Sequence, residues 1–322
     1  MKRVTFVAVV LVLAGLPFSA QQPARPAVDR LIDGFLVHVG IIVPDVRGAA
    51  ARYADVLGVP APSIERTGEA DSQPPASSVR RFPIERAVLP LNGAAIELVQ
   101  PAGGSGPSRQ WLDRHGAGPH HIAFGAASPA IGDRLHARSV PMWPSAGDAV
   151  TADFQADLGF SIELNAAGTL PAPPPGSFAA NAVVHVSAMV PDVEEAGRLL
   201  GRILEADVPA TTTVKMGSLV YPESYRGDRA AAPKHVTFRL PNLLLELTEP
   251  QGGASPWRDH LDRHGPSIHH LAFQVPDMGA AIRYLEGKGG RLVLGGPTVS
   301  YAYVDLRPAG LELTFELNGP RP

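Results

Sequence analysis

An internal repeat constrains this chain more than any other feature. His38-Val-Gly-Ile-Ile-Val-Pro-Asp-Val46 returns as His185-Val-Ser-Ala-Met-Val-Pro-Asp-Val193, an offset of 147. Leu112-Asp-Arg-His-Gly116 returns letter for letter as Leu261-Asp-Arg-His-Gly265, an offset of 149. At that same offset Glu97-Leu-Val-Gln-Pro101 matches Glu246-Leu-Thr-Glu-Pro250, and His120-His-Ile-Ala-Phe124 matches His269-His-Leu-Ala-Phe273. Glu163-Leu-Asn165 matches Glu316-Leu-Asn318 at 153. Motifs kept in one order at nearly one spacing mark a tandem duplication, so one folded unit occurs twice. A length of 322 residues agrees, since it suits two domains of about 150 each.

The expected division is a signal segment over 1–20, a first domain over 33–168, a linker over 169–180 and a second domain over 181–319. Lys2 and Arg3 precede an apolar run from Val4 to Phe18, closed by the small residues Ser19 and Ala20. That order describes a secretory signal, and the run is too short for a membrane span of about 20 residues. The mature protein is therefore expected to be exported, periplasmic or secreted, with no stable membrane span after processing. Gly168-Thr-Leu-Pro-Ala-Pro-Pro-Pro-Gly176 reads as a stiff, extended joint between the halves.

A weaker repeat lies inside each half. His38-Val-Gly-Ile and His121-Ile-Ala-Phe each open an apolar strand on a histidine, and a helical stretch follows each. Each of these modules closes on a strand carrying Glu-Leu, at Glu97 and Glu163, and the second half does the same. Asp45 and Asp192 can cap helices running to about Leu57 and Leu204, and Ser105 or Ser108 and Ser255 can cap shorter ones ending at Gly116 and Gly265. Leu91-Asn92-Gly93 reads as a turn before the Glu97 strand. Strands alternating with single helices make the class α+β, with the sheets curled.

The chemistry must use nitrogen and oxygen. There is no cysteine, hence no disulfide, thiolate ligand or thiol nucleophile, but there are eleven histidines. A formal charge of -3 removes the electrostatic case for nucleic acid. Alternate strand residues share a face, so only one of His120 and His121 can point into a curled sheet. Alignment with His38 selects His121, and repetition selects His270, which sends His120 and His269 to the other side. Glu312, Thr314 and Glu316 share a face, and the Glu-Leu-Asn match selects Glu316. The first half thus offers His38, Glu97, His121 and Glu163, and the second offers His185, Glu246, His270 and Glu316. Two imidazoles and two carboxylates suit a divalent ion such as Zn, Mn, Co, Ni or Fe. A single strand histidine is more often packed than ligating, but eight such residues in register across a duplication reverse that expectation.

These motifs resemble the vicinal oxygen chelate superfamily of glyoxalase I, methylmalonyl-CoA epimerase and extradiol dioxygenases. The likeness runs from about Phe35 to Leu317, and Ser-Gly-Pro-Ser-Arg-Gln-Trp-Leu-Asp-Arg-His-Gly before His120-His121 most resembles the epimerase. The resemblance implies two tandem domains, each a pair of βαβββ modules forming a curled sheet. It also implies that the eight residues named above are metal ligands. The activity implied is a lyase or isomerase that chelates neighbouring oxygens of a small oxo- or hydroxy-acid derivative and stabilises an enediolate. Glu163 and Glu316 would then double as the proton carriers. Modules of this superfamily pair within or between chains, so a homodimer is compatible with it.

Other residues compete for roles. Glu85, on the strand before Glu97, and His235, at the corresponding place in the second half, are further candidates for proton transfer. Arg80 and Arg81 could meet an anionic substrate but adjoin a polar loop over 68–78, and Tyr301 and Tyr303 are expected to pack. His115 and His264 end helices, where an imidazolium suits the last carbonyls. His136 and His260 receive no role. An Fe(II) extradiol dioxygenase using His185, His270 and Glu316 is the alternative, although Glu246 is then surplus and the Asp-Pro turn usual in that family is missing between Tyr303 and Glu316. A small-ligand binding protein of the resistance type is the non-enzymatic alternative.

Overall fold

The structure, a computed structural model, describes residues 35–70, 81–125, 131–137, 139–144, 149–164, 171–215 and 217–320. The expected signal segment, Arg80, most of the polar loop and the start of the expected linker lie outside the described residues.

The first half runs β1 (Leu36–Ile42), α1 (Val46–Leu57), β2 (Glu65–Ala70), β3 (Arg81–Pro90) and β4 (Ala95–Pro101). After α2 (Pro107–His115) the pattern recurs as β5 (Gly118–Phe124), α3 (Ile131–Ala137), β6 (Met142–Pro144), β7 (Val150–Ala152), the short α4 (Gln155–Leu158) and β8 (Ser161–Leu164). The second half repeats it with β9 (Ala182–Met189), α5 (Val193–Leu204), β10 (Thr212–Thr213), β11 (Lys234–Arg239) and β12 (Leu244–Glu249). Then come α6 (Pro256–His264), β13 (Ser267–Gln274), α7 (Met278–Gly287), β14 (Arg291–Gly295), β15 (Tyr301–Asp305) and β16 (Thr314–Asn318). Each half is therefore two βαβββ modules.

Each half forms one eight-stranded mixed sheet, in the orders β2-β3-β4-β1-β5-β8-β7-β6 and β10-β11-β12-β9-β13-β16-β15-β14. The opening strands of the two modules meet antiparallel at the centre, and each module's closing strand lies parallel to its opening one. The four central strands are the four that carry the His and Glu motifs. That topology is what brings residues far apart in sequence to one place.

Local chemistry sets the element ends. The Asp45 carboxylate accepts the Arg47 and Gly48 amides to open α1, and Gly58, at φ +69°, closes it in the left-handed region. Asp192 opens α5 in the same way, through the Glu194 and Glu195 amides. The Ser255 hydroxyl accepts the Arg258 amide at the start of α6. Neither Ser105 nor Ser108 caps α2: Gly106 holds that place, with Pro107 at the first helical position, where its missing N–H leaves nothing unpaired.

The halves share one core. Tyr53, Phe273 and Phe315 are fully buried in a single cluster drawn from both, and Phe178, within the expected linker, packs its ring on Phe273, Phe315 and Tyr284. Polar groups also cross between the halves. The Glu312 amide donates to the Tyr53 hydroxyl at 3.0 Å, Tyr284 donates to the Val56 carbonyl at 3.0 Å, and the Asn242 amide bonds both backbone groups of Leu36. Among the described residues no helix is long and apolar enough to cross a membrane.

Candidate metal centres

In the first half, β4, β1, β5 and β8 present Glu97, His38, His121 and Glu163 to one buried point. The Nε2 atoms of His38 and His121 lie 3.3 Å apart. Oε2 of Glu97 stands 3.3 Å from the first and 3.5 Å from the second, and Oε1 of Glu163 is 3.8 Å from His38. In the second half, β12, β9, β13 and β16 present Glu246, His185, His270 and Glu316. The Nε2 atoms of His185 and His270 are 3.0 Å apart, and Oε2 of Glu316 lies 3.0 Å from each. Donor atoms of Glu246, His185 and His270 also fall within one 4.8 Å group.

The two centres close on different carboxylates. The first draws in Glu97 from its first module, and the second draws in Glu316 from its second module. The residues opposite explain this. Ser187 and Thr248 replace Gly40 and Val99, and their hydroxyls bond at 3.1 Å. Thr248 passes its hydrogen bond to Oε1 of Glu246 at 3.2 Å, and His235 Nδ1 meets Thr248 at 3.0 Å and Glu246 at 3.4 Å. That network holds Glu246 back, leaving Glu316 to face the imidazoles.

Both clusters fit a first-row dication. Bonds of about 2.1 Å to nitrogen and oxygen place neighbouring donors roughly 3.0 Å apart in an octahedron and 3.4 Å in a tetrahedron. The spacings among His38, His121 and Glu97, 3.3–3.5 Å, and among His185, His270 and Glu316, 3.0 Å, fall near those edges. Electrostatics agree with close pairing. Burial alone would push His38 down and Glu97 up, yet each holds the other charged: His38 stands above its ordinary value and Glu97 well below its own. Burial opposes the shift of His185 too, but Glu316 raises it to about 9, and His235 brings Glu246 to about 2.

The family comparison agrees with this geometry. The model of the Glyoxalase/Bleomycin resistance protein/Dioxygenase superfamily matches residues 37–155 and again 184–303. The chain belongs to that superfamily. Its two copies of the domain are the two halves that carry the clusters. Among solved structures, a triple mutant of 4-hydroxymandelate synthase from Streptomyces coelicolor superposes with a TM-score of 0.59 at 16% identity, covering 90% of this chain and 93% of that one. A fusion of a xylose isomerase-like TIM barrel with 4-hydroxyphenylpyruvate dioxygenase gives 0.52 at 14% identity, over 93% of this chain and 51% of that one. Methylmalonyl-CoA epimerase from Mycobacterium tuberculosis covers 44% of this chain and 89% of that one at 23% identity, with a TM-score of 0.33. The first two likenesses concern the fold. No match was found among curated proteins.

In this superfamily member the paired histidines work differently from strict alternation. The rung after Gly40↔His121 is Ile41↔Pro119, so His120 is the extra residue of a β-bulge, and His269 is its counterpart between Ser187↔His270 and Ala188↔Ile268. The bulge turns each extra histidine toward its neighbour, with Nδ1 to Nδ1 distances of 3.1 Å and 3.0 Å. Burial holds His120 and His269 well below the ordinary imidazole value, so both are neutral. They therefore fix the rings of His121 and His270 so that Nε2 faces the cluster.

Around these shells lie residues that the sequence pattern undervalued. Arg86, not Glu85, occupies the position of His235: Arg86 pairs with Val99 across the sheet as His235 pairs with Thr248. Arg86 donates to Oε1 of Glu97 at 3.2 Å, while Glu85 sits one residue away and faces the other side of β3. The offset of 149 that relates the ligands would have found Arg86. Tyr303, opposite Glu316 in register, hydrogen-bonds its carboxylate; burial, then Glu316, raises the phenol well above its ordinary value. Tyr301 packs beside it and accepts the Val220 amide at 3.1 Å.

His115 ends α2 exposed and stacks on Trp111. His264 is not an imidazolium cap. It accepts a hydrogen bond from Arg307 at 3.1 Å, and partial burial with that guanidinium lowers its pKa. His260 is buried, bonds Ser267 at 2.8 Å and packs on His269. Glu312 lies just before β16 at the contact between the halves, away from the cluster. His136 is exposed on α3. Arg81 belongs to β3 by its backbone.

Proposed function

We propose that this protein is a metal-dependent lyase or isomerase of the glyoxalase–epimerase type, acting on a small oxo- or hydroxy-acid derivative with two neighbouring oxygens. The observation that carries this reading is the second carboxylate of the first cluster, Glu163, beside the His38–Glu97–His121 group. Three donors suffice to hold an ion, and the family chemistry also needs a base beside the substrate carbon.

His38, His121 and Glu97 would hold the ion in the first half, and His185, His270 and Glu316, with Glu246 behind them, in the second. When bound, the ion supplies a Lewis acid that polarises a substrate carbonyl and acidifies the adjacent C–H. Glu163 is the carboxylate of the first cluster that stands farther from His38, with Oε1 at 3.8 Å against 3.3 Å for Glu97, and it would take and return the proton. In the second, Oε1 of Glu246 is tied to Thr248 and His235, so Glu316 would serve both as ligand and as proton carrier.

The test is proton exchange. Metal-loaded protein is incubated in D2O with a panel of small oxo and hydroxy acids and their thioesters, and loss of the α-proton is followed by NMR. Exchange should occur and should fall by about 10²-fold or more in the E163Q/E316Q double variant. Exchange undiminished in that variant, or none with any member of the panel, would sink the reading.

A second reading rests on the His185–His270–Glu316 triangle. Two imidazoles and one carboxylate with Glu246 held aside form the donor set of Fe(II) oxygenases. Oxygen uptake with a catechol by the Fe(II)-loaded protein would select it.

We further propose an exported protein with a small-molecule substrate and the capacity to form a homodimer. Amino-terminal sequencing of exported protein and sedimentation analysis test these two points.

A further inference from the structure

We propose that the two centres bind a divalent ion unequally, tightly in the second half and weakly in the first, and that Arg86 is the residue that weakens the first. This rests on the metal-binding part of the function proposed above.

The two halves place different groups at one position. Arg86 and His235 occupy the same rung of equivalent strand pairs, each beside the first-module glutamate of its cluster. The Arg86 guanidinium donates to Oε1 of Glu97 at 3.2 Å. It thereby takes one of the two oxygens of the carboxylate that closes the first cluster, and it sets a permanent positive charge against any incoming dication. Arginine cannot shed that charge. In the second half the corresponding group is an imidazole, and the carboxylate that closes the cluster, Glu316, is held instead by the neutral hydroxyl of Tyr303, its partner in register.

One effect works against this. Glu65 faces Arg86 in register and bonds it at 2.9 Å, which offsets part of its charge. The Glu65 side chain is 60% exposed, though, whereas that of Glu97 is 6% exposed. Water screens the outer pair far more than the inner one, so the guanidinium charge is felt in the cluster. Glu65 also anchors Arg86 and keeps it from swinging away. Its counterpart in the second half is Thr212, opposite His235, which supplies no charge. Changes in groups that hold metal ligands alter affinity by about 10- to 100-fold, so a gap of that size is expected.

The experiment is a titration of the metal-free full chain with Mn(II), in which the EPR signal of the free ion reports binding. The wild-type protein should show one tight and one weak equivalent separated by at least about tenfold. His270→Ala should remove the tight step and His121→Ala the weak one. Arg86→Gln should tighten the weak step by about tenfold or more while leaving the tight step unchanged, which also serves as a check that the fold survives. Arg86→Lys, which keeps the charge, should leave the step weak. Two equal steps, a tighter first half, or no change in Arg86→Gln would overturn the inference while leaving the metal reading intact. Failure of either half to take up Mn(II) would overturn both.

Discussion

The imidazole of His121 occupies the space in which a β-carbon on Gly40 would stand, whereas His270 faces Ser187, which carries that carbon. Gly40 and His121 are partners across the central antiparallel pair, so the absence of one side chain makes room for the other. Here the glycine serves close approach, not an unusual backbone angle.

Gly40→Ala should therefore expel His121 from the first cluster. The expected result is loss of metal uptake by the first half, retention by the second, and destabilisation of about 1–3 kcal/mol from overpacking. Elemental analysis with a thermal melt checks both. Uptake preserved in both halves would show that the ring can move aside.

Loss of the phenol at Tyr303 should act on the other centre. Tyr303→Phe removes the donor that holds Glu316, so second-half metal affinity should fall by roughly tenfold with the first half unaffected. A drop of equal size in both halves would point to general loosening of the fold.

Acid should destabilise the metal-free protein before ordinary carboxylates titrate. His120, His260 and His269 are buried and held well below the ordinary imidazole value, chiefly by burial. Their stabilising effect is fully present above the unfolded value of about 6.5 and is lost as pH falls from there toward the depressed folded values, because only the unfolded chain takes the proton. Each contributes a slope of about 1.4 kcal/mol per pH unit in that window. His260→Trp installs the residue found at the equivalent place of the first half, Trp111, and should make the fall shallower by one histidine. Urea midpoints between pH 7 and 5 provide the measurement, and an unchanged slope would mean that His260 does not stay neutral.

The shared core predicts that the halves unfold together. Tyr53 is fully buried, and its hydroxyl receives the Glu312 amide of the other half. Tyr53→Phe leaves that amide unpaired and should cost about 1–3 kcal/mol in one cooperative transition. Fluorescence in a Trp257→Phe background reports the first half, and circular dichroism reports the whole chain. Separate midpoints by the two probes would contradict the prediction.

Much of the site was legible because it is repeated. His38 and His185, Glu97 and Glu246, and the His-His pairs recur at offsets of 147 and 149, and strand alternation chose among neighbours. The helix caps at Asp45 and Asp192 were legible too, since a cap bond spans only two or three residues. Alternation failed where the sheet is irregular. At His120 a bulge adds a residue to one strand, and no local pattern announces it. Glu85 was paired with His235 for a similar reason: the choice between adjacent residues of an edge-side strand depends on register, which a slip of one reverses.

The sequence by itself determined that the chain is a duplication, that each half is built of two strand–helix–strand modules, and which histidines and glutamates recur. Those features follow from short-range forces, namely capping, turn chemistry and the period of apolar residues. Only the tertiary structure decided that the first cluster closes on Glu97 and the second on Glu316, that Arg86 and His235 stand at one position, and that a single core joins the halves. Each of these turns on contacts between strands or helices distant in the chain. A hydroxyl at Ser187 or a missing β-carbon at Gly40 has no consequence until strand pairing sets an imidazole opposite it.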